Sequence, residues 1–271
     1  METKFRKGGT HTKHLRDILI SLFLGLVIQG TATASGLFGL PQPASKNEGG
    51  LYTGIGYWYG EDRYKNNTEH LTKYHQVYSQ VGYGFHNRWE IYGRVGVSDL
   101  KIIDAFSSTS AATSTYKNDF EDNLNFSGTL GVKGFYPITK TVGIGAFIQG
   151  TYYFRNFTDD VSGTRNAAPF TTELRVKNLW DVNFGIGIQA MVPYGIRVYL
   201  GPYIYYSEAN MSSSANIPGI DSTIGNITIN NKNKAGGFAG IDVPLGRGFH
   251  LNVEGQYAER LSAGTAVTYS Y

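Results

Sequence analysis

The chain of 271 residues contains no cysteine. That excludes a disulfide framework, thiolate chemistry and Cys-ligated metal sites, and it leaves no cysteine to carry a lipid anchor. A long apolar run is missing too. The stretch "ILISLFLGLVI" at residues 18–28 falls well short of the roughly 20 residues that a helix needs to cross a bilayer. Net charge is likewise absent once the N-terminus is set aside. Of 24 basic and 21 acidic residues, residues 1–34 hold five and two, leaving 19 of each. Nothing therefore points to a nucleic-acid partner. No metal-ligand spacing and no phosphate-binding loop is present, so no cofactor is expected.

What is present begins with a leader. Lys4, Arg6, Lys7, Lys13 and Arg16 precede the apolar stretch, and Ala32-Thr33-Ala34 follows it as a small-x-small cleavage site. Residues 1–34 read as a signal peptide cut after Ala34. Residues 35–50, "SGLFGLPQPASKNEGG", read as a short irregular periplasmic lead. From Leu51 onward the period is two and no helical period appears. Ten strands are expected: 51–60, 74–84, 89–98, 124–136, 142–154, 179–191, 196–206, 235–243, 249–257 and 263–271. Eight or twelve are the alternatives, depending on how the long loops pair. Their connections alternate between tight turns at 85–88, 137–141, 192–195 and 244–248 and longer polar loops. Short turns at one end and long loops at the other define an up-and-down meander.

Each strand has one apolar and one polar face. In 249–257, Phe249, Leu251, Val253 and Tyr257 oppose His250, Asn252, Glu254 and Gln256. The polar faces are rich in glycine, amides and charge, which suits a wet interior. Tyr, Trp and Phe gather at the strand ends on the apolar face, where membrane interfaces place them. The expected fold is all-β, a closed antiparallel transmembrane barrel over residues 51–271. Closure is obligatory, because unpaired backbone groups cost several kcal/mol each in hydrocarbon.

By this pattern and by its final strand, ending in Tyr269 and Tyr271, the chain resembles Gram-negative outer-membrane β-barrel proteins of the small OmpA type. The resemblance implies that the terminal aromatic strand is a signal for the barrel-insertion machinery. It also implies outer-membrane lipid as surroundings and the cell outer membrane as location. Ala266 stands where many members carry glycine.

Ten strands about 4.8 Å apart and tilted about 40° enclose a radius of roughly 10 Å, which inward side chains of about 6 Å nearly fill. Inward rings (Tyr52, Trp58, Tyr78, Tyr92, Phe147, Tyr153, Tyr199, Tyr203, Tyr205) alternate with glycines, which explains why 35 glycines are present, nearly twice the roughly 7 % of average usage. Glu90, Arg94, Lys133, Asp181, Arg197, Asp242, His250 and Glu254 also point inward. They are expected to form a mutually paired polar network that constricts the lumen, since buried charge must be paired. The functional expectation is a structural or surface-exposed envelope barrel with a narrow or plugged lumen. A small passive pore is the alternative. An enzyme, a protease or lipid-modifying barrel, ranks third and is not expected: His70, His75, Asp99, Asp104, Asp159, Asp160 and Glu208 near the long-loop rim show no converging spacing. No solute or surface ligand can be named from these residues.

Overall fold

A computed structural model describes residues 36–44, 49–65, 69–107, 113–165, 168–217, 220–231, 234–258 and 261–271. The leader, with Ala32 and Ala34, lies outside the described residues. Among the described residues, thirteen strands form one antiparallel sheet. Ten of them make the wall: β1 (Gly49–Lys65), β2 (Glu69–Phe85), β3 (Trp89–Ile102), β5 (Phe120–Pro137), β6 (Val142–Tyr153), β8 (Ala168–Met191), β9 (Arg197–Ile217), β11 (Ala235–Gly246), β12 (Phe249–Tyr257) and β13 (Leu261–Ser270). Each pairs with the next, and β13 returns to β1 through a register running from Tyr52 opposite Ser270 to Tyr59 opposite Ala263. The ring is closed and has no edge for lipid to face.

The wall strands are the ten expected, in order, but several run farther at the long-loop end. β8 starts at Ala168, not Leu179, and β9 reaches Ile217, not Tyr206. Three further strands lie within the long connections: β4 (Thr113–Thr115), β7 (Phe157–Arg165) and β10 (Ile220–Asn231). β7 pairs with β8, β4 with β7, and β10 with β9 and the end of β1. At the short-turn end, local chemistry makes the hairpins. His86 and Asn87 both have positive φ (49° and 53°) between β2 and β3, and the Arg88 N–H donates to the Phe85 carbonyl at 3.0 Å. This is the type I′ geometry whose twist matches that of paired strands.

Two zones follow along the wall. In the lower zone the apolar faces look outward: Leu130 is 74 % exposed, Val95 68 % and Ile55 66 %. Trp89, Tyr136, Phe249 and Tyr271 rim this belt at the short-turn end, and Tyr57, Tyr152, Phe154 and Tyr257 at the other; all are exposed. The eight residue steps from Val77 to Phe85 on β2, at about 3.3 Å each and inclined about 40°, rise roughly 20 Å, close to the height of a barrel's lipid band.

In the upper zone the apolar side chains turn inward. Leu100, Ile102, Phe120, Phe157, Val161, Leu174, Val176, Leu179, Ala209 and Ile229 pack into one buried cluster. This forms a cap over the long-loop end. The reversal on β5 and β8 is made by one extra residue. Between Ser98–Asn125 and Leu100–Asp122, β5 takes three steps against two on β3, with Leu124 at φ 60°. Between Lys177–Asn210 and Trp180–Glu208, β8 takes three against two on β9, with Asn178 at φ 51°. A one-residue bulge moves every following side chain to the opposite face. Leu174 and Val176 therefore lie inside the cap, whereas Val182, Phe184 and Ile186 face out.

Candidate functional site: an occupied lumen

The inner wall is built from rings laid over glycines on the neighbouring strand. Tyr52 stands opposite Gly82, Tyr78 opposite Gly56, Tyr92 opposite Gly131, Phe147 opposite Gly185, Tyr199 opposite Gly240 and Trp58 opposite Gly264. A Cβ at Gly131 would stand 2.2 Å from the Tyr92 ring, and one at Gly264 2.2 Å from Trp58. Any larger residue would push the ring off the wall and into the axis.

The axis is already taken. Residues 36–44, expected to lie outside the barrel as a lead, run inside it. Leu37, Phe38 and Leu40 are buried, Phe38 completely. Three apolar side chains in a short segment find no shelter in water, and the lumen supplies it. The Phe38 ring sits 4.3 Å from that of Phe147, 4.9 Å from Tyr203 and 5.4 Å from Phe238. Leu37 packs against Trp58 and Tyr78. Gly36 and Gly39 adopt φ of +89° and +73°, a region that side chains with a Cβ disfavour.

The segment forms no strand ladder, so wall side chains satisfy its backbone. Glu254 accepts the Phe38 N–H at 2.9 Å on one carboxylate oxygen and the Gly39 N–H at 2.8 Å on the other. Arg94 donates to the Leu37 carbonyl at 2.6 Å, Lys133 to that of Leu40 at 3.2 Å, and Gln256 to that of Gly36 at 3.1 Å. Lower down, Gln42 and Gln189 exchange two hydrogen bonds (3.1 and 2.9 Å), and Glu90 accepts the Ala44 N–H at 2.7 Å. Beside the segment a cavity of about 40 Å³ remains, and beneath the cap one of about 20 Å³.

The eight inward charged residues all line the lumen, but not as one mutually paired layer. Lys133 and Glu90 approach to 3.5 Å, and the Lys133 ammonium lies 5.1 Å from the Tyr92 ring centre. Asp242 meets both Arg197 (2.9 Å) and His250 (3.0 Å) at the short-turn mouth. Arg94 stacks between Tyr78 and Tyr92 and bonds Gln80 at 2.6 Å. Asp181 lies higher, under the cap, accepting from Asn183 at 2.7 Å. The expectation of direct mutual pairing missed the peptide between the charges. Arg94 and Glu254 each bond the backbone of that peptide, at Leu37 and at Phe38 and Gly39. The signal that pointed to it is the "GLFGLP" of residues 36–41, apolar residues with no other place to go.

Tyr269 and Tyr271 stand on the outer girdle, ring centres 4.8 Å apart, with Phe249 4.8 Å from Tyr269. Among the rim residues, His75 and Asp99 meet, but through the His75 backbone N–H (2.5 Å), while the ring bonds the Tyr57 hydroxyl on the outer face. Asp159 pairs with Lys117 at 2.5 Å. Among the described residues no group of His, Asp and Glu is placed to hold a metal ion.

No family model matches the chain, and no curated protein matches it in sequence. Solved structures resemble it in fold. The translocator domain of autotransporter NalP from Neisseria meningitidis is 11 % identical, covering 96 % of each chain with a TM-score of 0.47. The outer membrane protease OmpT from Escherichia coli is 12 % identical, covering 88 % of this chain and 100 % of its own, TM-score 0.43. The Pseudomonas putida toluene transporter TodX is 8 % identical, covering 90 % and 96 %, TM-score 0.34. By its own closure, outward apolar belt and aromatic girdles the chain is a closed antiparallel β-barrel of the membrane-spanning type.

Proposed function

We propose that the chain is an outer-membrane envelope barrel whose lumen is closed from within, a structural or surface-presenting element with neither transport nor catalysis as its resting activity. The observation that carries this is the segment 36–44, hydrogen-bonded to the wall at Glu90, Arg94, Lys133, Gln189, Glu254 and Gln256. The apolar cap closes the other end. Signal cleavage after Ala34 suits this arrangement, since it leaves a single residue ahead of the buried Gly36. The apolar belt is solvated by outer-membrane lipid, and the strand ending in Tyr269 and Tyr271 is what the insertion machinery engages.

Single-channel recording in a planar bilayer tests closure. The intact protein is expected to pass no steady current. A large, steady conductance would replace this reading with that of a passive pore for ions or small solutes.

A further inference from the structure

The wall around residues 36–44 has the attributes of a peptide-binding site, which a mere space-filler does not need. It reads both backbone polarity and side chains. An anionic group meets two successive N–H donors, with Glu254 on Phe38 and Gly39, and cationic groups meet the carbonyls on either side, with Arg94 on Leu37 and Lys133 on Leu40. Reversing the peptide would set carbonyls against the carboxylate. Phe38 enters an aromatic slot of Phe147, Tyr203 and Phe238. Gly39 is selected twice, by its φ of +73° and by the Lys133 Nζ, which would lie 3.2 Å from a Cβ there. Glu254 is itself buried, and its hydrogen bonds come from the two peptide N–H groups, the Tyr199 hydroxyl and the Gln256 amide. The peptide thus supplies half the donors that let a carboxylate sit in the interior. None of these contacts is a strand pairing. The segment can leave without breaking a single rung of the barrel.

We propose that the lumen is a sequence-specific receptor for a Gly-Leu-Phe-Gly-Leu-Pro peptide, and that residues 36–44 occupy it as a tethered but separable ligand. This rests on the segment closing the lumen and adds that closure is by recognition.

The test uses a chain lacking residues 36–44, folded in detergent and checked by heat-dependent gel mobility, titrated with a fluorescent acetylated peptide of residues 36–44. Saturable binding at one peptide per barrel is expected from fluorescence anisotropy. Phe38→Ala in the peptide should weaken it about a hundredfold. Glu254→Gln in the barrel should weaken it at least about tenfold, since an amide oxygen can accept from only one of the two N–H groups on its carboxylate pattern. At position 39, L-alanine should bind worse than D-alanine, which favours positive φ; non-specific stickiness would not tell the two apart. Absence of saturable binding, or equal binding of a scrambled peptide, overturns the proposal. If the deleted chain does not fold, a protease site inserted between Ala44 and Gly49 of the complete chain gives the same answer. Retention of the cut segment through gel filtration and its exchange for labelled peptide support recognition, and its failure to exchange or its immediate loss contradicts it. A silent intact barrel that binds no peptide leaves closure standing and removes recognition. A conducting intact barrel removes closure itself.

Discussion

The belt and the cap of this barrel are made by the same strands, joined by the same hydrogen-bond ladder, yet they are inverted copies of one another. On β8, Leu174 and Val176 are buried inside the cap, and a few residues on Val182 and Phe184 face outward. The difference teaches that the ladder does not decide which face is apolar; the solvent does. In hydrocarbon there is nothing to gain from hiding an aliphatic side chain, whereas in water each one buried is worth about 1.5–3 kcal/mol. The chain changes sides in two ways. β5 and β8 insert a bulge residue at Leu124 and Asn178. β3 keeps its register and changes its sequence, from outward Val95 to inward Leu100 and Ile102.

Deleting Asn178 should break the comparison most severely. Without the extra residue, Leu174 and Val176 turn outward while Glu173, Arg175 and Lys177 turn into the cap. The expected cost is about 4 kcal/mol or more. The cap should become sensitive to protease while the belt retains its SDS-resistant gel mobility. Next is a charge on the outer face. Leu130→Arg, in the belt, should destabilise by about 2–4 kcal/mol in bilayer unfolding titrations. Thr158→Arg, outward on the cap, should change stability by less than about 0.5 kcal/mol. Equal effects at the two positions would show that no solvent boundary separates them.

The smallest effect concerns Lys101 on the cap exterior, 2.8 Å from Asp119 and 2.5 Å from Glu121. Hydrogen bonds from Lys101 and from the Asp104 backbone hold the Asp119 carboxyl below its ordinary value, and Asp119 and Glu121 hold Lys101 above its own. The carboxylate contribution is therefore present above about pH 4 and lost as pH falls through the lowered value. The lysine contribution is present below about pH 10.4 and lost as pH rises through the raised one. Lys101→Ala should cost about 1 kcal/mol or less and flatten the acid limb of the cap's stability profile, seen by urea unfolding at several pH values.

The wall was legible in the sequence because its signals are local. Alternation marks each strand, and the polar pairs at 86–87 and 247–248 mark hairpins. Ring and glycine also face each other across neighbouring strands, as Tyr92 does Gly131. What was not legible depends on contacts far apart in the chain. The strands β4 and β7 sit in loops rich in Ser, Thr and Asn, where no alternation marks them; β10, by contrast, follows the alternation of Ile with polar residues that extends β9 as a hairpin. The shift of parity at Asn178 hides the continuation of β8 toward Ala168, because the uninterrupted period ends there. Glu254 lies 215 residues from the Gly39 N–H that it accepts, so inward charges looked as though they must pair with one another.

The inside-out assignment of the belt is tested most directly by its tryptophans. Trp89 is 59 % exposed on the outer girdle, whereas Trp58 is fully buried in the lumen. Single-tryptophan variants, with the other two of the three tryptophans replaced by phenylalanine, would be folded into vesicles containing brominated acyl chains. Strong quenching of Trp89 and little quenching of Trp58 is the predicted result. Strong quenching of Trp58 with Trp89 spared would contradict the account.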